Sequence, residues 1–340
     1  MKRRVAVAAL AAALGAAGVV PSAHAIDSDA AERLQRTIAA DYSDVNSVVV
    51  LRGGSPLFAY HRNGDPDTLH DVQSVAKSGL SVLVGVALGQ GRIASLDQPI
   101  VALMPALAGV NADSRAAQVT VRHLLTMTAG FDVGAAGTDR SDGARAAMSR
   151  PFKAAPGEAF AYDNPGFVLL SRVLEAAVGQ PLPAWADAHL LQPLGIERIQ
   201  WPGAGMGRLV LGMRTRDMAK LGQLFLQNGR WGDRQLVPAD YVRAATQRQN
   251  AGGPPVGLPY GYMWWAIPSS SASPSPASRS TFFASGFGGQ MVWVHPPLDL
   301  VIATTSEVSA ASGARGQALK LVRGPLFRAV QAMPPAKQTP

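Results

Sequence analysis

The feature that most constrains this chain is the run from Ser78 to Gly91, Ser-Gly-Leu-Ser-Val-Leu-Val-Gly-Val-Ala-Leu-Gly-Gln-Gly. It has almost no polar side and no proline, so it reads as a buried helix. The tetrad Ser74-Val75-Ala76-Lys77 opens it. The first turn of a buried helix is an unusual place for a lysine, and the chain has only six. A lysine three residues after a serine lies on the same helical face, one turn along, so its amine reaches the hydroxyl. Burial disfavours the charged amine, which lowers its pKa and lets it take a proton near neutral pH. The same four residues also describe a helix start with a snorkelling lysine. A chain with 24 serines and six lysines contains about 0.4 such tetrads by chance, so the company the tetrad keeps has to decide.

The chain has 340 residues, 47% of them hydrophobic, enough for a substantial core. Lys2, Arg3 and Arg4, the apolar run Val5 to Val20 and the small-x-small site Ala23-His24-Ala25 read as a secretory signal over 1–25. Cleavage would leave Ile26 first and place the protein in the periplasm or outside the cell. The apolar run is shorter than a membrane span, and no later segment is long enough for one. There is no cysteine, which excludes disulfides and thiolate chemistry. Net charge is +8, but the basic residues are scattered without a stripe or interleaved aromatics, which argues against a nucleic-acid partner. No pattern in the chain asks for a metal or a cofactor, and none sets an oligomeric state.

Ala31 to Ala40 reads as a short amphipathic helix. Ser47 to Leu51 and Pro56 to Tyr60, joined by Arg52-Gly53-Gly54-Ser55, read as a β-hairpin. The centre of the chain is helical in pattern: Thr120 to Thr128, Phe167 to Val178, Leu182 to Leu190 and Thr215 to Asn228. Strand patterns follow at Tyr262 to Ile267, Ser280 to Ala284, Gln290 to His295 and Leu300 to Thr305. Pro268 to Arg279 is a serine- and proline-rich surface loop, and Gly316 to Ala332 a closing helix. The expected fold is of the mixed α/β (α+β) class. An antiparallel sheet is built from both termini and flanked by helices, beside a mainly helical lobe from the middle. We expect one domain over 26–340, with 26–70 and 255–335 as the sheet lobe and 71–254 as the helical lobe. The meeting of two such lobes is a natural ligand cleft.

Two further elements bear on chemistry. In Pro156 to Asn164, Tyr162 and Asn164 stand two apart, so in an extended segment both face one cleft. A phenol beside a lysine can carry protons, and an amide can hold a carbonyl or the lysine. A loop tyrosine with an Asx helix cap is the plainer account of the same residues. In Phe283 to Gln290, a strand end at Ser285 leads into Gly286-Phe287-Gly288-Gly289, three glycines in four positions. Glycines permit close backbone approach to a ligand. The N–H groups of Phe287 and of Ser74 at its helix start can form an oxyanion hole. A glycine-rich turn between strands fits as well.

The order Ser-x-x-Lys, Tyr-x-Asn, then small-x-Gly resembles the serine β-lactamase and penicillin-binding superfamily, and Tyr-x-Asn its class C branch with the esterase relatives. The blocks Asp71 to Ser78, Ile93 to Ile100, Val119 to Gly130, Arg216 to Gly222 and Tyr260 to Trp265 look like that family too. The likeness is strongest to β-lactamase-related carboxylesterases and aminohexanoate-oligomer hydrolases. It implies Ser74 as acyl-forming nucleophile, Lys77 and Tyr162 as a joint proton-handling pair, and Asn164 as the group positioning substrate and Lys77. It implies a small ester or amide as substrate. One departure stands out: β-lactamases carry a cation where this chain has Ala284. That weakens the reading as β-lactamase or D,D-peptidase unless an arginine such as Arg214 or Arg279 reaches the cleft. The dispersed histidines 61, 70, 123, 189 and 295 read as structural. The chain lacks Gly-x-Ser-x-Gly, Gly-x-x-x-x-Gly-Lys and His-Glu-x-x-His, the signatures of α/β-hydrolases, P-loop enzymes and zincins.

Overall fold

A computed structural model describes residues 26–139, 141–201, 211–268, 279–307 and 316–333. Residues 1–25, expected from the sequence to be a signal, and the interior of the Pro268–Arg279 segment lie outside them.

The N-terminal hairpin forms where the two apolar runs and their glycine turn put it. Strands β1 (Val45–Arg52) and β2 (Ser55–His61) turn at Gly53 and Gly54, both in the left-handed region at φ 57° and 75°, where a side chain would be strained. Six more strands come from the C-terminal half: β3 (Asn250–Gly253), β4 (Leu258–Tyr260), β5 (Trp265–Ala266), β6 (Phe282–Gly286), β7 (Gln290–His295) and β8 (Leu300–Ser306). The eight make one antiparallel sheet in the order β2-β1-β8-β7-β6-β5-β4-β3. β1 lies against β8, with Val48 opposite Thr304 and Leu51 opposite Val301. The two ends of the chain thus meet inside the sheet, and the mixed α/β expectation holds.

Helices pack on this sheet. α1 (Ser28–Asp41) buries Leu34 and Ile38. α2 (Val75–Gly89) is the apolar helix, and every residue from Leu80 to Ala87 is buried. Its Gly85 is pressed so closely by Val237 and Tyr241 that an added methyl would lie 2.6 Å from Val237. α3 (Val121–Leu125) and α4 (Asn164–Val178) come from the middle of the chain. α5 (Thr215–Leu226) lies on the sheet, with Gly222 in contact with Val292 and Val301 of β7 and β8. Among the described residues no helix is long and apolar enough to cross a membrane.

Three elements differ from the sequence pattern. Tyr262 to Ile267 is not one strand, because Met263 takes φ 58° and donates its N–H to Leu125 O; only Trp265 and Ala266 pair. The helix expected to run to Thr128 stops at Leu125, since Met127 also turns left-handed at φ 57°. The closing helix is continuous from Ala318 to Gln331 but widens to a π-helical turn at Val322–Leu326, which holds Pro325. Proline has no N–H for the i−4 bond and crowds the preceding turn.

Candidate active site

Ser74 occupies the N-cap of α2, where a serine normally turns its oxygen onto the helix's own N–H groups. Here it makes no such bond. The oxygen instead receives a hydrogen bond from Lys77 Nζ at 3.1 Å, and the phenol of Tyr162 is near enough to the same serine for the hydroxyl to lower its pKa. The structure therefore brings Ser74, Lys77 and Tyr162 together. Helix capping is given up for a side-chain cluster, a departure from local stability of the kind that concentrates at functional sites.

The loop before Ser74 is tightly held. Asp71 accepts the backbone N–H of Gln73 at 2.9 Å and its side-chain amide. Val72 donates to Leu211 O. Gln73 itself sits at φ 49°, a strained conformation for a residue with a side chain. Gly286 at the end of β6 closes on this loop: an added methyl there would lie 2.7 Å from Val72 O and 3.0 Å from Gln73 Cβ. The end of the sheet thus abuts the serine, and Phe287 follows with an exposed side chain. Ser285 is half-buried on the same strand.

Lys77 is 5% exposed. Loss of solvent lowers its pKa from 10.5 to about 8, against the opposing pull of the Asp163 carboxylate. Its Nζ lies 4.9 Å from the ring centre of Tyr162 and 5.1 Å from that of Phe167. Burial raises the Tyr162 pKa, and the nearby Ser74 hydroxyl works in the other direction. The ring stacks on Trp265 of β5, 15° from parallel with centres 6.3 Å apart. A near-neutral amine, a serine hydroxyl and a phenol in mutual reach form a proton-transfer unit. If the amine must be neutral to accept a proton, turnover should rise with pH through an apparent pKa near 8. A kcat/KM profile flat from pH 6 to 10 would contradict this.

Asn164 is the first residue of α4, exposed, and lines the cleft together with Ser74 and Lys77. Its amide is not bonded to Lys77, so among the described residues the lysine is held by Ser74 alone. The helix cap is Asp163, not Asn164. Sequence reasoning missed why. Asp163 is buried and forms a two-pronged ion pair with Arg150, at 2.8 and 2.7 Å. Arg150 also donates to Ala147 O and lies over the Phe131 ring. Gly166 makes room: a methyl there would lie 2.5 Å from Asp163 Oδ2. The pair pins the backbone between Tyr162 and Asn164.

The cleft has a volume of about 520 Å³, and Asp71, Gln73, Ala135, Gly137 and Phe167 complete much of its wall. Its described lining contains two cations, Lys77 and Arg150, and Arg150 is already paired with Asp163. Ala284 is fully buried. Neither arginine considered as a substitute reaches the cleft. Arg214 is bound by Asp217 and Asp67, and Arg279 donates to Leu226 O. No histidine lines the cleft among the described residues. His123 caps α3 with Thr120, and His61, His189 and His295 bond Ser47, Gln90 and Thr281.

A family model described as Beta-lactamase matches residues 34–322. This chain belongs to the Beta-lactamase family. It is 32% identical over 149 residues to Esterase EstB of Burkholderia gladioli, a match covering 38% of this chain and 38% of that protein. To the 6-aminohexanoate-dimer hydrolase of Paenarthrobacter ureafaciens it is 24% identical over 313 residues, 82% of this chain and 75% of that one. The solved structure of a penicillin-binding protein homolog from Caulobacter crescentus superposes with a TM-score of 0.69 at 15% identity, covering 90% and 99% of the two chains. EstCE1, a hydrolase with promiscuous acyltransferase activity, gives 0.69 at 16%, covering 88% and 98%. At these identities the structural neighbours speak for the Beta-lactamase fold alone.

Proposed function

We propose that this Beta-lactamase family member is an exported serine hydrolase, periplasmic or secreted, that cleaves small esters or amides through an acyl-enzyme on Ser74. The observation that carries the reading is a serine oxygen that accepts from a buried amine on the wall of an open cleft, with the Tyr162 phenol close to both. The Ser74 hydroxyl proton passes to the Lys77–Tyr162 pair as Oγ bonds the acyl carbon. The carbonyl oxygen gains the negative charge, facing the N–H of Ser74 and of Phe287. The pair returns the proton to the leaving alkoxide or amine as its bond to carbon breaks. Water then repeats the sequence on the acyl-enzyme, giving a carboxylic acid and free Ser74. Asn164 contributes its amide to the substrate. The names of the relatives, an esterase and an amide-dimer hydrolase, support this substrate class.

A β-lactamase or D,D-peptidase role is the second reading, favoured by the family and disfavoured by Ala284 and the committed Arg150. Both are tested by intact-mass analysis of protein recovered from the exported fraction. It is mixed in parallel with a p-nitrophenyl ester, an anilide and a penicillin. We expect a polypeptide beginning at Ile26 and an acyl adduct from the ester that Ser74→Ala does not form. A full adduct on Ser74→Ala, or none with any reagent, would sink the nucleophile. An adduct from the penicillin alone would move the protein to the second reading, and protein found only inside the cell with residues 1–25 retained would remove the export assignment.

A further inference from the structure

An apolar chamber of about 290 Å³ shares Ala76, Phe167 and Val168 with the catalytic cleft. Its inner wall is the face of α2 that carries Gly79 and Leu83, about one and a half and two and a half turns beyond Ser74. Leu182, Leu190, Trp201 and Met213 stand across from it. Among the described residues three charged or hydroxyl-bearing side chains touch it, and each is already bonded. Ser171 donates to Val168 O at 2.7 Å. Arg172 pairs with Glu175 at 2.7 Å, and Glu175 also accepts the Leu182 N–H. The ion pair is partly exposed, 51% and 31%, and so belongs to the rim. What remains is a space with size and apolar surface but little for a polar ligand to bond.

The two halves of a substrate are treated differently at such a site. The acyl carbon stays joined to Ser74 through the reaction, whereas the leaving group must depart. The cleft side, lined by Asp71, Gln73 and Asn164, is the polar one. The apolar side begins at Ala76, two residues along α2 from the attachment point. At the helical rise of 1.5 Å per residue, Gly79 and Leu83 lie roughly 7 and 13 Å further along, a span that a straight chain of roughly six to ten carbons covers.

We propose that this chamber holds the alkyl chain of the acyl group, so that the preferred substrates are esters of medium-length straight-chain fatty acids. The proposal rests on Ser74 being the acylated residue. Gly79 offers a clean test. A methyl there meets nothing closer than Leu221 at 4.0 Å, so Gly79→Leu projects its side chain into the chamber and replaces glycine with a better helix former.

The measurement is kcat/KM for p-nitrophenyl esters from acetate to dodecanoate. The wild type should climb from acetate to about octanoate by up to about fourfold per methylene. Gly79→Leu should keep acetate turnover within about twofold and lose about tenfold or more on octanoate. Leu83→Ala should move the optimum to longer chains. A wild-type profile that falls steadily from acetate, or a Gly79→Leu loss equal at every length, would overturn the proposal. Titration calorimetry of decanoate into Ser74→Ala, with and without Gly79→Leu, reads the chamber without catalysis. Binding that Gly79→Leu abolishes supports it, and absence of binding to Ser74→Ala overturns it. If no ester is turned over by the wild type yet decanoate binding is lost in Gly79→Leu, the nucleophile reading fails. The acyl assignment then falls with it, and an alkyl-binding site remains.

Discussion

Lys77→Met is expected to abolish turnover and to make the protein more stable. The loss in kcat/KM should be on the order of 10⁴-fold, because the groups around an activated serine act as a unit. The gain in stability follows from the same burial that tunes the amine. The unfolded chain holds this lysine at its ordinary pKa, while the folded protein lowers it to about 8. Below pH 8 both states are protonated, and the folded state bears the full cost of keeping a cation out of water, on the order of 3 kcal/mol. Between pH 8 and the ordinary lysine pKa the folded state has lost its proton and the unfolded state has not, so the wild type gains stability as pH rises. Above that pKa the cost is gone. Methionine fills similar space without the charge, so Lys77→Met should melt about 3–6 °C higher at pH 7. The difference should shrink as the pH approaches 10. A variant that melts lower than wild type at pH 7 would show that the bond to Ser74 outweighs the desolvation.

The largest destabilisation is expected from Arg150→Ala. Arg150 and Asp163 are 2% and 7% exposed at their side chains and meet through both guanidinium nitrogens. Removing the arginine leaves a buried carboxylate without a partner, which costs about 3–5 kcal/mol. Replacing both residues with apolar ones, as in Arg150→Met with Asp163→Leu, removes the orphaned charge and should recover most of that loss. It should not recover activity, since the fork no longer fixes the backbone between Tyr162 and Asn164. Urea denaturation and ester turnover on the same three proteins separate the two effects. Full activity in the double variant would mean that the pair stabilises the fold and does not position the site.

The sequence carried the parts of this arrangement that depend on local periodicity. Short apolar runs rich in β-branched and aromatic residues located β7 residue for residue and β1, β2 and β8 to within two residues, and the long apolar run marked α2. Where φ turns positive at a non-glycine residue, the pattern says nothing. Met127 and Met263 look like ordinary apolar positions, and both end an element because of bonds made to distant backbone. At the site, Ser74 and Lys77 were legible because helical spacing alone brings them together. Tyr162 lies 88 residues from Ser74, and its position was carried by family likeness. Arg150 and Asp71 were not legible. An arginine thirteen residues before an aspartate makes no recognisable motif, and the hold of Asp71 on Gln73 depends on a left-handed backbone that only coordinates show.

The seam between β1 and β8 has a consequence for synthesis. Val45 to Arg52 leave the ribosome early, yet one of their two sheet partners is Leu300 to Ser306. A nascent chain shorter than about 300 residues has no way to zip that edge, and pairing across so long a loop is slow. Until Leu300 to Ser306 have been made, that flank of β1 stays unpaired. The sheet end that abuts Ser74 should therefore assemble only as the last strand arrives.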